Sequence, residues 1–250
     1  MARAALPRRL NWEAASVVEL VDETAGARSI VLELDDWPGH RAGQHVDVRL
    51  TAEDGYQAQR SYSIASAPED ESLVLTVERL DDGEVSPYLV DEAREGDRIE
   101  VRGPIGGYFV WESSDPTPLL LVAGGSGVVP LMSMVRHRAA AGGAALAKLV
   151  YSSRTLEDVI YRSELDELAA RGDGFEVVHT LTREQPEGWT GYARRIDPEL
   201  LAQVAWPASE RPRVYVCGST RFVDAAADGL LALGYAPQSI RTERFGATGS

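Results

Sequence analysis

The spacing of apolar positions changes partway along the chain. Over the first 112 residues, "ASVVELVDE", "RSIVLEL", "HVDVRL", "RSYSIA", "LVLTVER" and "DRIEVRG" form short β-rich runs separated by turn residues. Six strands at that spacing predict a closed antiparallel barrel. One insert, "SPYLVDEAREG" (86–96), reads as a short helix, with Leu89 and Ala93 on one face, Ser86 at the N-cap and Gly96 as its stop.

After the polar, proline-bearing stretch "ESSDPTP" (112–118), read as a linker, apolar strands alternate with helices. "LLLVA" precedes a helix from Val128 to about Ala141. Then come "AKLVYSS", a helical stretch around "YRSELDELAARG", "FEVVHTL", and "RVYVCG" leading into "RFVDAAADGLLALG". That alternation predicts a parallel, Rossmann-like nucleotide-binding sheet. The expected organisation is a six-stranded barrel domain over 1–112 followed by an α/β domain over 113–250, and 250 residues suit two cores better than one.

Composition narrows the partners. A formal charge of -14 argues against nucleic acid and anionic membranes. No apolar run approaches the ~18 residues of a membrane span, and "MARAALPRRL" lacks the apolar core of a secretion signal, so the expected location is the cytoplasm. The one cysteine, Cys217, leaves no internal disulfide, Cys-based zinc site or four-ligand iron–sulfur cluster within these residues. His40, His45, His137 and His179 are scattered without metal-ligand spacing.

The strongest local motif is "LLLVAGGSGVVPLMSMVRH" (119–137). A buried strand runs into Gly124, Gly125, Ser126 and Gly127 and then into a helix, whose free N–H groups and positive dipole end suit a pyrophosphate. Pro130 stands where a third glycine is usual, and a plain tight turn is the alternative. At the end of the next strand, "LVYSSRTLEDVIYRSEL" offers Ser152, Ser153 and Arg154 instead of an acid, with Arg162 following. Arginine there suits a 2′-phosphate and favours NADPH; if Asp158 is the operative group, NADH is favoured instead.

In order along the chain stand "RSYS" (60–63), "TVERLDDGEVSPYL" (76–89), "GPIGGYF" (103–109), "GGSGVVP" (124–130), "VCG" (216–218) and "ERFG" (243–246). Together they resemble the ferredoxin-NADP+ reductase superfamily of flavoproteins over nearly the whole chain. The resemblance implies FAD in the barrel and NADPH, or NADH, in the α/β domain. It implies that Arg60 pairs with a cofactor phosphate, Tyr62 stacks on the isoalloxazine and Ser63 hydrogen-bonds the flavin N5, with Ser61 beside them on the strand. A flat ring, a diphosphate and close approach do want an aromatic face, a guanidinium and small neighbours. The pyrophosphate segment supplies Val77, Arg79, Gly83, Glu84, Val85 and Ser86; a capped helix in a barrel is its other reading.

By the same resemblance Cys217 lies beside the nicotinamide C4, with Gly218 allowing approach, although this chain continues "CGST" where many relatives have "CGP". As residues alone, a lone buried thiol is also simply inert. Glu243 is implied near the flavin's reactive edge and Phe245 over the face opposite Tyr62, the alternative being an exposed tail. "GPIGGYF" fits either close cofactor approach or a tight closure of the barrel, and Gln44 in "RAGQHVDVRL" has no assigned role. The implied chemistry is hydride transfer from NADPH to FAD. Ser63, Cys217 and Glu243 stand at the reacting atoms, and the electrons leave to a separate acceptor protein such as a ferredoxin. An NAD(P)H:flavin reductase and a non-catalytic nucleotide-binding subunit are the competing expectations.

Overall fold

The computed structural model describes residues 10–143 and 145–245. The first six strands, β1 (Glu13–Thr24), β2 (Ala27–Glu33), β3 (His45–Thr51), β4 (Gln57–Ser63), β5 (Leu73–Glu78) and β6 (Arg98–Ile105), fall on the predicted runs. They pair antiparallel in the order β4-β3-β6-β1-β2-β5. Just past β4 the chain bridges to β5, with Ile64 opposite Leu75 and the Ala65 N–H donating to the Val74 carbonyl at 2.8 Å, which draws the two edges together. Alternation turns Ala15, Ile30, Leu32, Val46, Val48 and Val101 into one apolar interior.

The helix expected over 86–96 is a correction. It is shorter than expected: Ser86 and Pro87 are helical and lead into a π-helical turn, Tyr88–Glu92, closed by the Ala93 N–H on the Tyr88 carbonyl at 2.8 Å; Ala93 itself is extended, so the helix ends before Gly96. Ser86 does not cap it. Pro87 occupies the cap position, and the Ser86 hydroxyl accepts instead from the Leu80 N–H at 3.1 Å, folding the preceding loop back on itself.

The second sheet is parallel throughout, in the order β11-β10-β7-β8-β9, with β7 (Leu119–Gly124), β8 (Ala147–Ser153), β9 (Phe175–Leu181), β10 (Arg213–Ser219) and β11 (Ile240–Phe245). Its crossovers carry α1 (Val128–Ala140), α2 (Arg162–Ala170), α3 (Pro198–Val204) and α4 (Thr220–Ala232). One apolar layer lies between the sheet and α1 with α2, the other under α3 and α4. Two elements were not anticipated. Helix α3 starts where Asp197 accepts the Leu200 N–H at 2.8 Å with Pro198 in the first turn, a capped start in a stretch to which the sequence pattern assigns no element. Strand β11 occupies "IRTERF", where the sequence leaves an exposed tail from Arg241 onward as the alternative; residues 246–250 lie outside the described residues.

Helix α1 is buried almost all round because the barrel covers the side that the sheet does not. From it the Ser133 hydroxyl donates to the Ser66 carbonyl at 2.7 Å and the Arg136 guanidinium to the Ala65 carbonyl at 2.8 Å. His137 joins Glu69 at 2.7 Å and accepts the Ser113 N–H at 3.1 Å. At the start of α2, Tyr161 takes a left-handed backbone (φ 60) and sends its hydroxyl to that of Thr76 on β5. The chain of hydroxyls continues through Ser29 at 2.7 Å to Glu23 at 2.5 Å. No helix among the described residues is long and apolar enough to cross a membrane.

Candidate active site at the seam between barrel and sheet

The carboxyl ends of the parallel strands face the barrel, and four strands from the two halves converge there. Ser63, at the end of β4, is paired with His45 at the start of β3. The His45 ring stands 4.0 Å from Glu243 Oε1, and Glu243 on β11 is in register with Cys217 on β10. The three residues expected at the reacting atoms, Ser63, Cys217 and Glu243, are therefore gathered by direct neighbours. His45 joins them, a residue that the sequence reading left among scattered histidines; its only signal was its place beside the "GQ" turn.

Burial sets the protonation here. It pushes the Glu243 carboxyl up to about 7. It pushes the His45 imidazole down, with Asp47 opposing, so this contact is not a fixed ion pair at neutral pH. The Cys217 thiol is pushed well above its usual value by burial and then by the Glu243 charge, so it stays a thiol and offers bulk rather than a nucleophile.

The glycine turn abuts this point. Gly125 is left-handed (φ 54), and Gly127 packs so closely on β10 that a Cβ there would lie 2.1 Å from the Cys217 carbonyl oxygen. Only glycine permits that approach. A Cβ on Gly124 would lie 2.7 Å from the Phe222 ring, and one on Gly125 would come within 3.9 Å of Glu78 at the end of β5. Ser126 sits within the same turn, and Gly218 follows Cys217 at the sheet edge. Phe245 is opposite Ser219, its ring packed on the apolar layer under α1.

On the barrel, Tyr62 packs against the interior cluster and burial raises its phenol, keeping it neutral. Arg60 is half-exposed, with Nη2 3.4 Å from Glu84 Oε2, and the other oxygen of Glu84 accepts the Tyr56 hydroxyl at 2.6 Å. The structure thus brings Arg60 to the Gly83–Ser86 loop. Arg79 is held by Asp91 at 2.6 Å and by Asp81. The side chains of Val77 and Val85 lie in the barrel interior, which leaves only their backbones to face a ligand. The Ser61 hydroxyl donates to the buried Asp47 at 2.6 Å, and Asp47 pairs with Arg102 at 2.6 Å, so the Ser61 hydroxyl is engaged by that network. Gln44 gains a role. Its amide donates to the Gly106 carbonyl at 2.7 Å and its oxygen accepts the Arg41 N–H at 2.8 Å, tying "GPIGGYF" to β3.

At the far end of the carboxyl edge, Ser153 is buried and Arg154 exposed. The Arg154 carbonyl accepts the Arg183 N–H at 2.9 Å, which sets a second arginine beside it; Arg162 stands exposed at the start of α2. Arg183 was missed, although "LTRE" sits just past β9, the neighbour of β8. Asp158 is occupied, accepting both the N–H and the hydroxyl of Thr155 at 3.2 Å. Two buried oxygens near these ends, Glu243 Oε2 and Ser153 Oγ, have no hydrogen-bond partner among the described residues. Such orphans cost about 1–3 kcal/mol each, and a bound polar group relieves that. With a glycine floor, exposed arginines and orphan oxygens along one edge, the residues fit a flavin and a nicotinamide dinucleotide.

Comparison with known proteins agrees. Residues 20–110 match the oxidoreductase FAD-binding domain family and residues 121–228 the oxidoreductase NAD-binding domain family. The 3-ketosteroid-9-alpha-monooxygenase ferredoxin reductase component of Mycobacterium tuberculosis is 36% identical over 92% of this chain, which spans 64% of that relative's length. The ferredoxin–NADP reductase B of Sorangium cellulosum is 35% identical over 92% of this chain and 91% of its own. The FAD/NAD-binding domain of nitric oxide dioxygenase from Vibrio cholerae superposes with a TM-score of 0.84 at 25% identity, covering 94% of this chain and 98% of that one. An FAD-binding barrel followed by an NAD-binding sheet, with such a relative along nearly its full length, makes this chain a member of the ferredoxin-NADP+ reductase superfamily.

Proposed function

We propose that the chain is an NAD(P)H-dependent FAD oxidoreductase that takes electrons from NADPH and delivers them to a separate acceptor protein such as a ferredoxin. The observation that carries this reading is the meeting of Ser63 and His45 from the barrel with Cys217 and Glu243 from the sheet. When bound, the two dinucleotides supply the redox chemistry, a two-electron donor beside an acceptor able to release electrons singly.

The chain's part is positioning. Arg60, the backbone of Gly83–Ser86 and Arg79 hold the FAD diphosphate, while Tyr62 and Ser63 face its ring. Gly124–Gly127 hold the nicotinamide dinucleotide, and Cys217 with Gly218 bound the space beside its reactive ring. Glu243, titrating near neutrality beside His45, holds or gives up a proton at the buried edge. Arg154, Arg183 and Arg162 favour a 2′-phosphate and hence NADPH, a reading supported by the engagement of Asp158 with Thr155. The border between the domains falls at 112–118, within a stretch from Gly106 to Pro118 that holds no strand or helix. Cytoplasmic residence completes the reading. The similarity to reductase components of oxygenase systems supports a protein acceptor.

A second reading, an NAD(P)H:flavin reductase, draws on one observation: Arg60 and Arg79 are both met by the chain's own carboxylates, which compete with a diphosphate. The test is the anaerobic visible spectrum of FAD-loaded protein before and after one equivalent of NADPH, then of NADH. Bleaching by NADPH followed by recovery on adding oxidised ferredoxin supports the first reading. Recovery only with free flavin supports the second, and flavin bands untouched by either nucleotide refute both.

A further inference from the structure

We propose that Arg136 is a positioning residue that couples the two nucleotide sites, holding the end of the Arg60–Ser63 strand at a set distance from the Gly124–Gly127 turn. Helix α1 begins at that turn, and its eight-residue rise from Val128 to Arg136 is a rod of about 12 Å. Ser133 and Arg136, three apart, share a face and reach across to successive carbonyls, Ser66 at 2.7 Å and Ala65 at 2.8 Å. Ala65 is two residues beyond Ser63, and its N–H makes the bridge to Val74 that closes the barrel. The Ser66 hydroxyl accepts the Val74 N–H at 3.1 Å, so α1 grips the barrel at its closing seam.

The guanidinium is aimed from behind. Glu164 on α2 takes two of its N–H groups at 2.9 and 2.6 Å, and the Tyr161 ring lies 4.8 Å below it. Its charge is therefore already matched within the α/β half, and the remaining arm is free to act as a spacer to the barrel. Two jobs are separable: the ion pair with Glu164 holds α1 to α2, and the bond to Ala65 holds the flavin strand to the nucleotide cradle. Transfer between two bound groups is steep in distance, and a misplacement of about 1 Å costs on the order of a hundredfold.

The experiment compares Arg136→Met with Glu164→Gln in the full chain. Both lose the ion pair, but only the first loses the bond to Ala65. Hydrogen exchange over residues 60–67 without nucleotide, the visible circular dichroism of bound FAD, and the single-turnover bleaching rate against NADPH affinity are read for each. Arg136→Met is expected to raise exchange in 60–67, alter the flavin dichroism and slow bleaching by at least about tenfold, with NADPH affinity within about twofold. Glu164→Gln is expected to lower the melting temperature while leaving those readouts near the parent. Equal effects of the two variants, or unchanged exchange and bleaching in Arg136→Met, would overturn the proposal. If Arg136→Met does not fold, Ser133→Ala removes the companion bond without stranding a charge and should shift the same readouts in the same direction; no shift counts against the proposal. The bleaching arm rests on the reductase reading, which fails separately if the parent chain is not bleached by either nucleotide. The exchange arm needs no nucleotide and judges the spacer alone.

Discussion

Substitution of Gly127 by alanine puts the seam geometry to a quantitative test. The added Cβ would lie 2.1 Å from the Cys217 carbonyl oxygen, 2.4 Å from its carbon and 2.6 Å from the Gly218 nitrogen, all backbone atoms of a central strand. Reaching even 3.0 Å requires α1 and β10 to part by about 0.9 Å at that point. Gly127 itself is right-handed helical (φ -59), so alanine also removes unfolded-state freedom, worth up to ~1 kcal/mol in the opposite sense. Overpacking of this kind costs ~1–3 kcal/mol, so the clash wins and the net loss is about 1–2 kcal/mol. For a chain of this size the melting temperature should fall by ~2–8 °C. The same displacement moves the nucleotide cradle away from Cys217, so bleaching of bound FAD by NADPH should slow on the order of a hundredfold while FAD binding to the untouched barrel persists. A melting temperature within about 1 °C of the parent, or an unchanged bleaching rate, would refute the packing argument.

Glu243 makes a pH prediction. Its folded pKa, raised from 4.5 to about 7, means that the native state holds the proton more tightly than the unfolded state. Stability from this group is therefore fully present below 4.5 and is lost as pH rises to 7, by about 3 kcal/mol, and Glu243→Gln should flatten the urea midpoint across that window; an identical pH slope in the variant contradicts the assignment. Arg154→Ala and Arg183→Ala should each lower kcat/KM for NADPH by about tenfold with little effect on NADH, and equal losses with both nucleotides would remove the 2′-phosphate role. Glu84→Gln should tighten FAD binding by ~2–5-fold in fluorescence titrations, a modest gain because the pair with Arg60 is half in solvent. Weaker binding would mean that the carboxylate helps to shape the loop.

What the sequence discloses depends on whether the deciding contacts are local. Ten of the eleven strands are legible because alternation or continuous apolarity within a short run determines which face is buried, and Gly124–Gly127 is legible because a strand-turn-helix is a local object. The Ser86 cap failed locally too: Pro87 took the cap position, and the hydroxyl found the Leu80 N–H six residues upstream. Strand β11 is obscure because "RTERF" is rich in charge, and it becomes a strand only by lying beside β10, where Glu243 is half-buried opposite Cys217. His45, Gln44 and Arg183 act across gaps of 198, 62 and 29 residues, to Glu243, Gly106 and Arg154, and carry no periodic signature. The first of these crosses from barrel to sheet and the other two join distant segments within one domain, and pattern within one segment encodes neither. The grouping of Ser63, Cys217 and Glu243 came from ordered motifs, and the geometry adds the reason that they meet.

The grip of α1 on the barrel passes through the carbonyls of Ala65 and Ser66. Every residue type has a carbonyl, so mutational drift on the barrel side at these positions leaves the bonds available, provided that the backbone path is kept. The donors are another matter, since a hydroxyl at 133 and a guanidinium at 136 have few substitutes. The joint is thus asymmetric in its tolerance: one partner is free to diverge while the other is held. A barrel with a different flavin-facing sequence, grafted onto this α/β half, would inherit these two bonds unchanged and would need only Glu69 and Thr76 to keep the side-chain contacts with His137 and Tyr161.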